Sequence, residues 1–192
     1  CKRLGHIQMT DILFELGYGK KGFNPVALDA GEVALEFEID RTEQDNWGLR
    51  SQERWAKAYE EGKFKVGEEI MALEIPQRKG DPVVFAKDEC VRHDCTVEGL
   101  ARLKPAFKKG GTVTAGNASK ISDGAAATVL MSGAEAERRG IEPLARIVAH
   151  ATFAQEPEWF TTAPSTAVAN VVGKAGWTMD QVDLFEINEA FA

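Results

Sequence analysis

The sequence lacks two features that would place it in a special class of protein. No apolar run approaches the roughly 20 residues that a membrane-spanning helix needs, so a membrane is not an expected partner. Positively charged residues are also fewer than negatively charged ones. The 23 lysines and arginines and the 30 aspartates and glutamates give a net charge of −7. A chain this acidic is a poor candidate for the phosphate backbone of nucleic acid, and none is expected as a partner.

Cysteine is scarce as well. Only Cys1, Cys90 and Cys95 occur, and three cysteines cannot all pair within one chain. No disulfide framework is expected, which favours a reducing compartment and predicts a cytoplasmic location. His93 lies between Cys90 and Cys95, and with Cys1 or His6 these residues could supply four zinc ligands. Their spacing matches no common zinc module, so we prefer ordinary packing of small side chains and predict no metal site.

The composition that remains is that of a folded domain. The 192 residues are 44% hydrophobic and 28% charged, which suits one or two globular domains. In the last third of the chain, apolar runs at 144–153 and 182–187 predict strands, and residues 164–172 predict a helix between them. This alternation of helices and strands indicates an α/β fold class.

The clearest single element begins at Asp40. Asp40 followed three residues later by Glu43 matches a capping box, and the helix should end near Gly62. Four of its residues share one helical stripe and favour core packing over a ligand site: Trp47, Trp55, Ala58 and Tyr59. Farther on, the pattern predicts strands at 70–75 and 82–86, a short helix within 96–107, helices at 125–132 and 132–140, and a helical turn at 178–181.

Residues 114–119 form a run of small side chains, Thr-Ala-Gly-Asn-Ala-Ser. Small residues let a ligand approach the backbone closely, and a helix N-terminus after them favours negative charge. The run is therefore a candidate site for a phosphorylated or thioester ligand. It matches neither a P-loop nor a dinucleotide glycine motif, and spacing alone favours the alternative, a tight connection that binds nothing.

Asn188 follows directly after the apolar run 182–187. An asparagine at the carboxyl end of a strand can hold a water or donate to a developing oxyanion. It can equally be the N-cap of the next helix, and the residues alone favour the cap. Both interpretations stay open at this point.

Several motifs occur together in an order that resembles one family. The run 111–119, the run 122–126 (Ser-Asp-Gly-Ala-Ala) and the run 188–192 (Asn-Glu-Ala-Phe-Ala) together resemble thiolases, which comprise acetyl-CoA C-acetyltransferases and 3-ketoacyl-CoA thiolases. Shorter matches keep the same order: Glu43-Gln44-Asp45, Arg50-Ser51-Gln52, Val91-Arg92-His93, Leu103-Lys104-Pro105-Ala106-Phe107 and Lys174-Ala175-Gly176-Trp177. The resemblance covers nearly the whole chain.

The resemblance implies an α/β fold of the thiolase-like layered αβαβα type, of which this chain holds a part. Residues 1–121 resemble the CoA-binding loop domain, 122–142 the end of the N-terminal half, and 143–192 the start of the C-terminal half. A first residue of Cys1 rather than Met fits the same expectation, an internal fragment of a thiolase. The complete protein is expected to be a homo-oligomer, either a dimer or a tetramer.

The matching motifs also imply roles for individual residues. Ala118 and Ser119 would contact the pantetheine arm of CoA, and the guanidinium of Arg92 would lie near its adenine and phosphate end. Asn188 would hold the water that helps to form an oxyanion hole. Three further residues would line the ligand: Ala190 and Phe191 along the pantetheine channel, and Phe160 at the acyl pocket.

The resemblance implies reversible thiolysis and Claisen condensation of acyl-CoA through an acyl-cysteine. The acylated cysteine is expected before Cys1, and the histidine and second cysteine after Ala192, so the isolated fragment is expected to be inactive. CoA and acyl-CoA enter as substrates, and no separate cofactor is predicted. The alternative is a non-catalytic CoA-binding or assembly module derived from a thiolase. Lys120 stands where the family usually has glycine or glutamine, and we expect it to point to solvent.

Overall fold

The computed structural model describes residues 17–19 and 22–192, which fall into two compact units. One comprises the described residues up to Val33 together with Ile121–Asn188, and we call it the 121–188 unit. The other comprises Ala34–Lys120 and Glu189–Ala192, and we call it the 34–120 unit. The three-part division at residues 121 and 142 stays a prediction.

Nine helices and strands are described, with two 3-10 helices near the end of the chain. In chain order they are β1 (Gly17–Gly19), β2 (Gly22–Asn24), α1 (Val26–Glu36), α2 (Arg41–Glu60), β3 (Leu73–Ile75), β4 (Val83–Phe85), α3 (Val97–Ala101), α4 (Gly133–Arg139) and α5 (Ala163–Lys174). The 3-10 helices are Pro157–Thr162 and Met179–Gln181. The strands form two antiparallel hairpins, β1 with β2 and β3 with β4.

The helix predicted from Asp40 is confirmed, because its ends are specified locally. The Glu43 amide donates to Asp40 Oδ1 at 2.8 Å, and the Asp40 amide donates to Glu43 Oε2 at 3.0 Å. This reciprocal capping box satisfies two amides that the first helical turn leaves without partners. At the other end, Gly62 adopts a left-handed φ of 67°, which glycine accepts without steric cost. At Ser132 one half of such a box is present, because the Glu135 amide donates to Ser132 Oγ at 3.2 Å, and the Thr178 amide donates to Gln181 Oε1 at 2.9 Å.

The 34–120 unit has a small core between α2, α3 and the segment after residue 112. Leu100 and Val113 are buried there beside the fully buried side chain of Thr114. Two polar residues of α2, Gln44 and Asp45, are buried with them. The β3–β4 hairpin confirms the two strands predicted around the 78–81 turn, although all six of its strand residues are exposed.

Three predictions in the 121–188 unit are wrong. Residues 125–132 are not helical, and the segments 144–153 and 182–187 pair with no strand among the described residues. Their apolar side chains are exposed, with Leu184 at 89% and Val129 at 86%. A strand needs a neighbour to satisfy its backbone groups, and a short helix needs packing, and within the described part of the chain these segments have neither.

These exposed segments predict self-association. Extended apolar chain with unpaired backbone groups is a surface on which other chains pair. We therefore expect the sedimentation coefficient to rise with protein concentration. A monomer with one sharp unfolding transition at every concentration would contradict this expectation. Among the described residues, no helix combines the length and apolarity needed to cross a bilayer.

Candidate ligand-binding groove

The 34–120 unit contains a groove of about 260 Å³. One face of α2 supplies five of its lining residues: Trp47, Gly48, Ser51, Gln52 and Trp55. The loop after Thr114 supplies five more: Gly116, Asn117, Ala118, Ser119 and Lys120. The rest of the lining consists of Cys90, Val91, Glu189 and Ala192. The groove therefore brings together four segments that are far apart in the sequence.

Gly48 lets α2 lie close to the loop at 112–120, which we call the 112–120 loop, and Gly116 lets that loop lie close to two leucines at the end of α3. A Cβ placed on Gly48 would be 2.8 Å from the carbonyl oxygen of Gly116. A Cβ placed on Gly116 would be 2.4 Å from Leu100 Cδ2 and 2.7 Å from Leu103 Cδ1. All three distances are shorter than van der Waals contact. At Gly48 the obstacle is loop backbone, whereas at Gly116 it is the ends of two leucine side chains.

The 112–120 loop is held by its own polar groups. Asn117 Oδ1 accepts a hydrogen bond from the Thr114 amide at 2.7 Å, and Asn117 Nδ2 donates to the Thr112 carbonyl at 3.0 Å. Thr114 Oγ1 accepts from the Gly116 amide at 3.1 Å. Side chains thus replace the backbone partners that a helix or strand would provide.

An ion pair fastens this loop region to the start of α2. Arg41 Nε donates to Asp45 Oδ2 at 2.8 Å, and the Asp45 side chain is only 5% exposed. Arg41 Nη2 donates to the carbonyls of Leu100 at 2.7 Å and Leu103 at 3.0 Å, where α3 ends. Asp45 Oδ1 in turn accepts from Asn117 Nδ2 at 3.0 Å. One buried polar network therefore joins α2, the end of α3 and the loop.

The structure brings four residues of the predicted CoA site together. Ala118 and Ser119 line the groove, and Ala118 forms an antiparallel bridge with Phe191. The Ser119 amide donates to the Ala190 carbonyl at 2.9 Å. Ala190 and Phe191 contact these lining residues but do not line the groove themselves.

Two basic side chains near the groove, Arg92 and Lys120, are exposed. The Arg92 amide donates to Gln52 Oε1 at 2.9 Å, which ties residues 90–92 to α2. Lys120 is exposed as expected, but it also lines the groove, and its Nζ is 3.4 Å from the Ala115 carbonyl.

Two predicted site residues lie elsewhere. Asn188 and Phe160 belong to the 121–188 unit, and neither is among the lining residues of the groove. Phe160 lies in the Pro157–Thr162 3-10 helix and is 36% exposed, and Asn188 is exposed as well. Their roles in an acyl pocket and an oxyanion hole stay predictions.

The aromatic stripe of α2 is not the core that the sequence predicted. Trp47 is 42% exposed, and the guanidinium carbon of Arg50 lies 3.3 Å from the centroid of its ring. Trp55 is half-buried and stacks on Tyr59 with ring centroids 5.0 Å apart. The signal that sequence reasoning missed is Gly48, because a glycine inside a helix often marks a close approach by another segment.

His93, one of the residues considered and not preferred as a zinc ligand, contacts an aromatic ring of α2. The His93 ring meets Trp55 edge to face at 5.8 Å, and the described residues contain no group of three side chains that could hold a metal ion. Cys90 is exposed, whereas Cys95 is half-buried. Burial raises the pKa of the Cys95 thiol, and the nearby carboxylates of Asp94, Asp45 and Glu53 raise it further. Cys1 and His6 lie outside the described residues.

The chain matches models of known protein families. The family model of the thiolase N-terminal domain matches residues 6–134, and that of the thiolase C-terminal domain matches residues 141–192. The chain belongs to the thiolase family. The predicted resemblance is therefore confirmed over most of the sequence.

Relatives of known name agree with this assignment. The chain is 46% identical over 192 residues to an acetyl-CoA acetyltransferase of Chromobacterium violaceum, with 99% of this chain and 48% of that protein aligned. It is 43% identical to the Pseudomonas aeruginosa acetyl-CoA acetyltransferase, with the same coverage. The chain thus spans about half the length of the curated relatives it matches.

Solved structures confirm the fold class. The Bacillus anthracis acetyl-CoA acetyltransferase superimposes with a TM-score of 0.84 at 40% identity, covering 99% of this chain and 48% of that one. Human mitochondrial 3-ketoacyl-CoA thiolase, solved in complex with CoA, gives a TM-score of 0.82 at 35% identity and covers 100% and 46%. The chain has a partial thiolase-like α/β fold.

Proposed function

We propose that the groove of the 34–120 unit binds the pantetheine arm of CoA, within a thiolase of the acetyl-CoA acetyltransferase type. The observation that carries this proposal is the pairing of Ala118 and Ser119 with Ala190 and Phe191 beside the groove. Two motifs about 70 residues apart in the sequence form one surface there. A relative of similar fold was solved with CoA, which supports the same ligand.

The chemistry of the lining suits such a ligand. Small side chains at Gly116, Ala118 and Ser119 leave room for a thin chain of atoms beside the loop backbone. The face of the Trp47 indole that Arg50 leaves uncovered offers apolar surface to the methylene groups. Arg92 and Lys120 supply positive charge for the phosphates at the end of CoA.

Membership of the thiolase family supports a proposal for the reaction of the whole protein. We propose reversible thiolysis and Claisen condensation of acyl-CoA, with the acylated cysteine and its histidine outside the 192 residues. Asn188 would orient the oxyanion-hole water, and Phe160 would border the acyl group. The complete protein would be a cytoplasmic homo-oligomer.

Two assays test whether the chain binds CoA and whether the catalytic groups lie outside it. The chain of 192 residues should bind CoA in isothermal titration calorimetry and should fail to cleave acetoacetyl-CoA in the presence of CoA. Robust turnover by this chain alone would overturn the placement of the catalytic groups outside it. Failure to bind CoA would overturn the assignment of the groove.

The two cysteines of the 34–120 unit provide a footprint of the ligand. We expect iodoacetamide to alkylate Cys90 several-fold faster than Cys95 at neutral pH, because the raised pKa of half-buried Cys95 leaves less thiolate. Acetyl-CoA, which has no free thiol, should slow the reaction of groove-lining Cys90 and leave Cys95 unchanged. Mass spectrometry of the alkylated peptides measures both rates. Equal protection of both cysteines, or of neither, would contradict a ligand seated in the groove.

A further inference from the structure

The two main walls of the groove are joined by one buried side-chain pair. Asn117 Nδ2 of the 112–120 loop donates to Asp45 Oδ1 of α2 at 3.0 Å, across 72 positions of sequence. Asp45 is 4% exposed and Asn117 is 3% exposed. A hydrogen bond buried this deeply has no water to replace it, so its loss would leave both groups unpaired.

Both partners sit immediately beside the residues that line the groove. Asp45 is two positions before Trp47 and three before Gly48, whose missing side chain admits the loop. Asn117 lines the groove itself and precedes Ala118 and Ser119. Its carbonyl also accepts the Ala192 amide at 2.9 Å. A change in the length of the Asp45–Asn117 contact would therefore move lining residues of both walls.

We propose that Asp45 and Asn117 form a positioning pair that sets the spacing between α2 and the 112–120 loop and thereby the affinity of the groove for CoA. This inference rests on the proposed function. Neither side chain needs to touch the ligand for the pair to act, since the pair fixes the backbone that does.

A reciprocal exchange of the two residues tests the pair. In Asn117→Asp, a carboxylate oxygen faces the Asp45 carboxylate, so the bond becomes a repulsion. In Asp45→Asn, an amide NH2 group faces either Asn117 Nδ2 or Arg41 Nε, so one donor meets another. In the double variant, the amide of residue 45 can donate to the carboxylate of residue 117 while its oxygen still accepts from Arg41. The double variant restores the bond between the two walls and keeps the total charge, but like Asn117→Asp it loses the bond from residue 117 to the Thr112 carbonyl.

The first readout is the dissociation constant for CoA from isothermal titration calorimetry. Each single variant should bind CoA roughly tenfold more weakly, as expected for loss of a buried hydrogen bond. The double variant should bind CoA more tightly than Asn117→Asp, with which it shares the lost bond to the Thr112 carbonyl. Partial unfolding would lower the binding stoichiometry and leave the dissociation constant of the folded molecules unchanged. Single variants that bind as tightly as the wild-type chain, or a double variant that binds no better than Asn117→Asp, would overturn the proposal.

The second readout needs no ligand. Hydrogen exchange at residues 114–119 should quicken in both single variants and slow again in the double variant, with exchange in α5 unchanged. If the wild-type chain does not bind CoA, the proposed function fails, and this exchange pattern still decides whether the pair holds the loop. Equal exchange rates at residues 114–119 in the wild-type chain, the two single variants and the double variant would overturn the positioning role.

Discussion

Replacing Arg41 with alanine is expected to lower the free energy of unfolding by about 3 kcal/mol, the lower end of the range measured when one partner of a buried ion pair is removed, because the Arg41 side chain itself is 24% exposed. The variant leaves the Asp45 carboxylate, 5% exposed, without its cation. It also leaves the carbonyls of Leu100 and Leu103 without the guanidinium that now donates to both. Urea denaturation followed by circular dichroism measures the change.

Two control variants test whether the loss of stability comes from the burial of the ion pair or from the loss of any ion pair. Arg138→Ala removes an exposed ion pair with Glu135, at 2.7 Å as short as the buried one, and should leave stability close to that of the wild-type chain. Arg41→Lys keeps the charge but not the planar fork, and should recover only part of the loss. If Arg41→Ala and Arg138→Ala destabilise the chain equally, the buried network does not have the role described above.

Replacing Gly48 with valine is expected to weaken CoA binding by tenfold or more. The new Cβ would lie 2.8 Å from the Gly116 carbonyl oxygen, so α2 or the loop must move. The obstacle is backbone rather than a flexible side chain, and overpacking of this kind costs about 1 to 3 kcal/mol. Calorimetric titration with CoA and urea denaturation measure the two effects separately.

The matched control is the same substitution at Gly173 in α5. A Cβ on Gly173 meets nothing within 4 Å, and valine is a slightly better helix former than glycine. Gly173→Val should therefore keep or slightly raise stability and leave CoA binding unchanged. Equal CoA affinity in Gly48→Val and the wild-type chain would show that the close approach of α2 to the loop does not shape the groove.

The elements that sequence could predict are those with local causes. The capping box of Asp40 and Glu43 and the left-handed Gly62 lie within a few residues of the helix ends that they specify. The β3–β4 hairpin likewise depends on a short turn between two apolar runs. In these cases the physics of a single segment is sufficient.

The groove was only partly predictable. The motifs at 118–119 and 190–191 are each recognisable in the sequence, but the contacts that join them depend on the tertiary fold. Trp47 shows the same limit, since a helical stripe reveals which residues share a face and not what covers that face. The segments 144–153 and 182–187 have the pattern of strands, yet pattern alone does not provide the neighbour that a strand requires.

The four tryptophans of the chain offer the most direct test of a CoA site in the groove. Trp47 and Trp55 line it, whereas Trp159 and Trp177 belong to the 121–188 unit. In a titration of the ¹⁵N-labelled chain with CoA, the indole N–H signals of Trp47 and Trp55 should shift and saturate, while those of Trp159 and Trp177 stay in place. Signals of Trp47 and Trp55 that do not move at saturating CoA, or that move no more than the other two, would contradict the assignment of the groove.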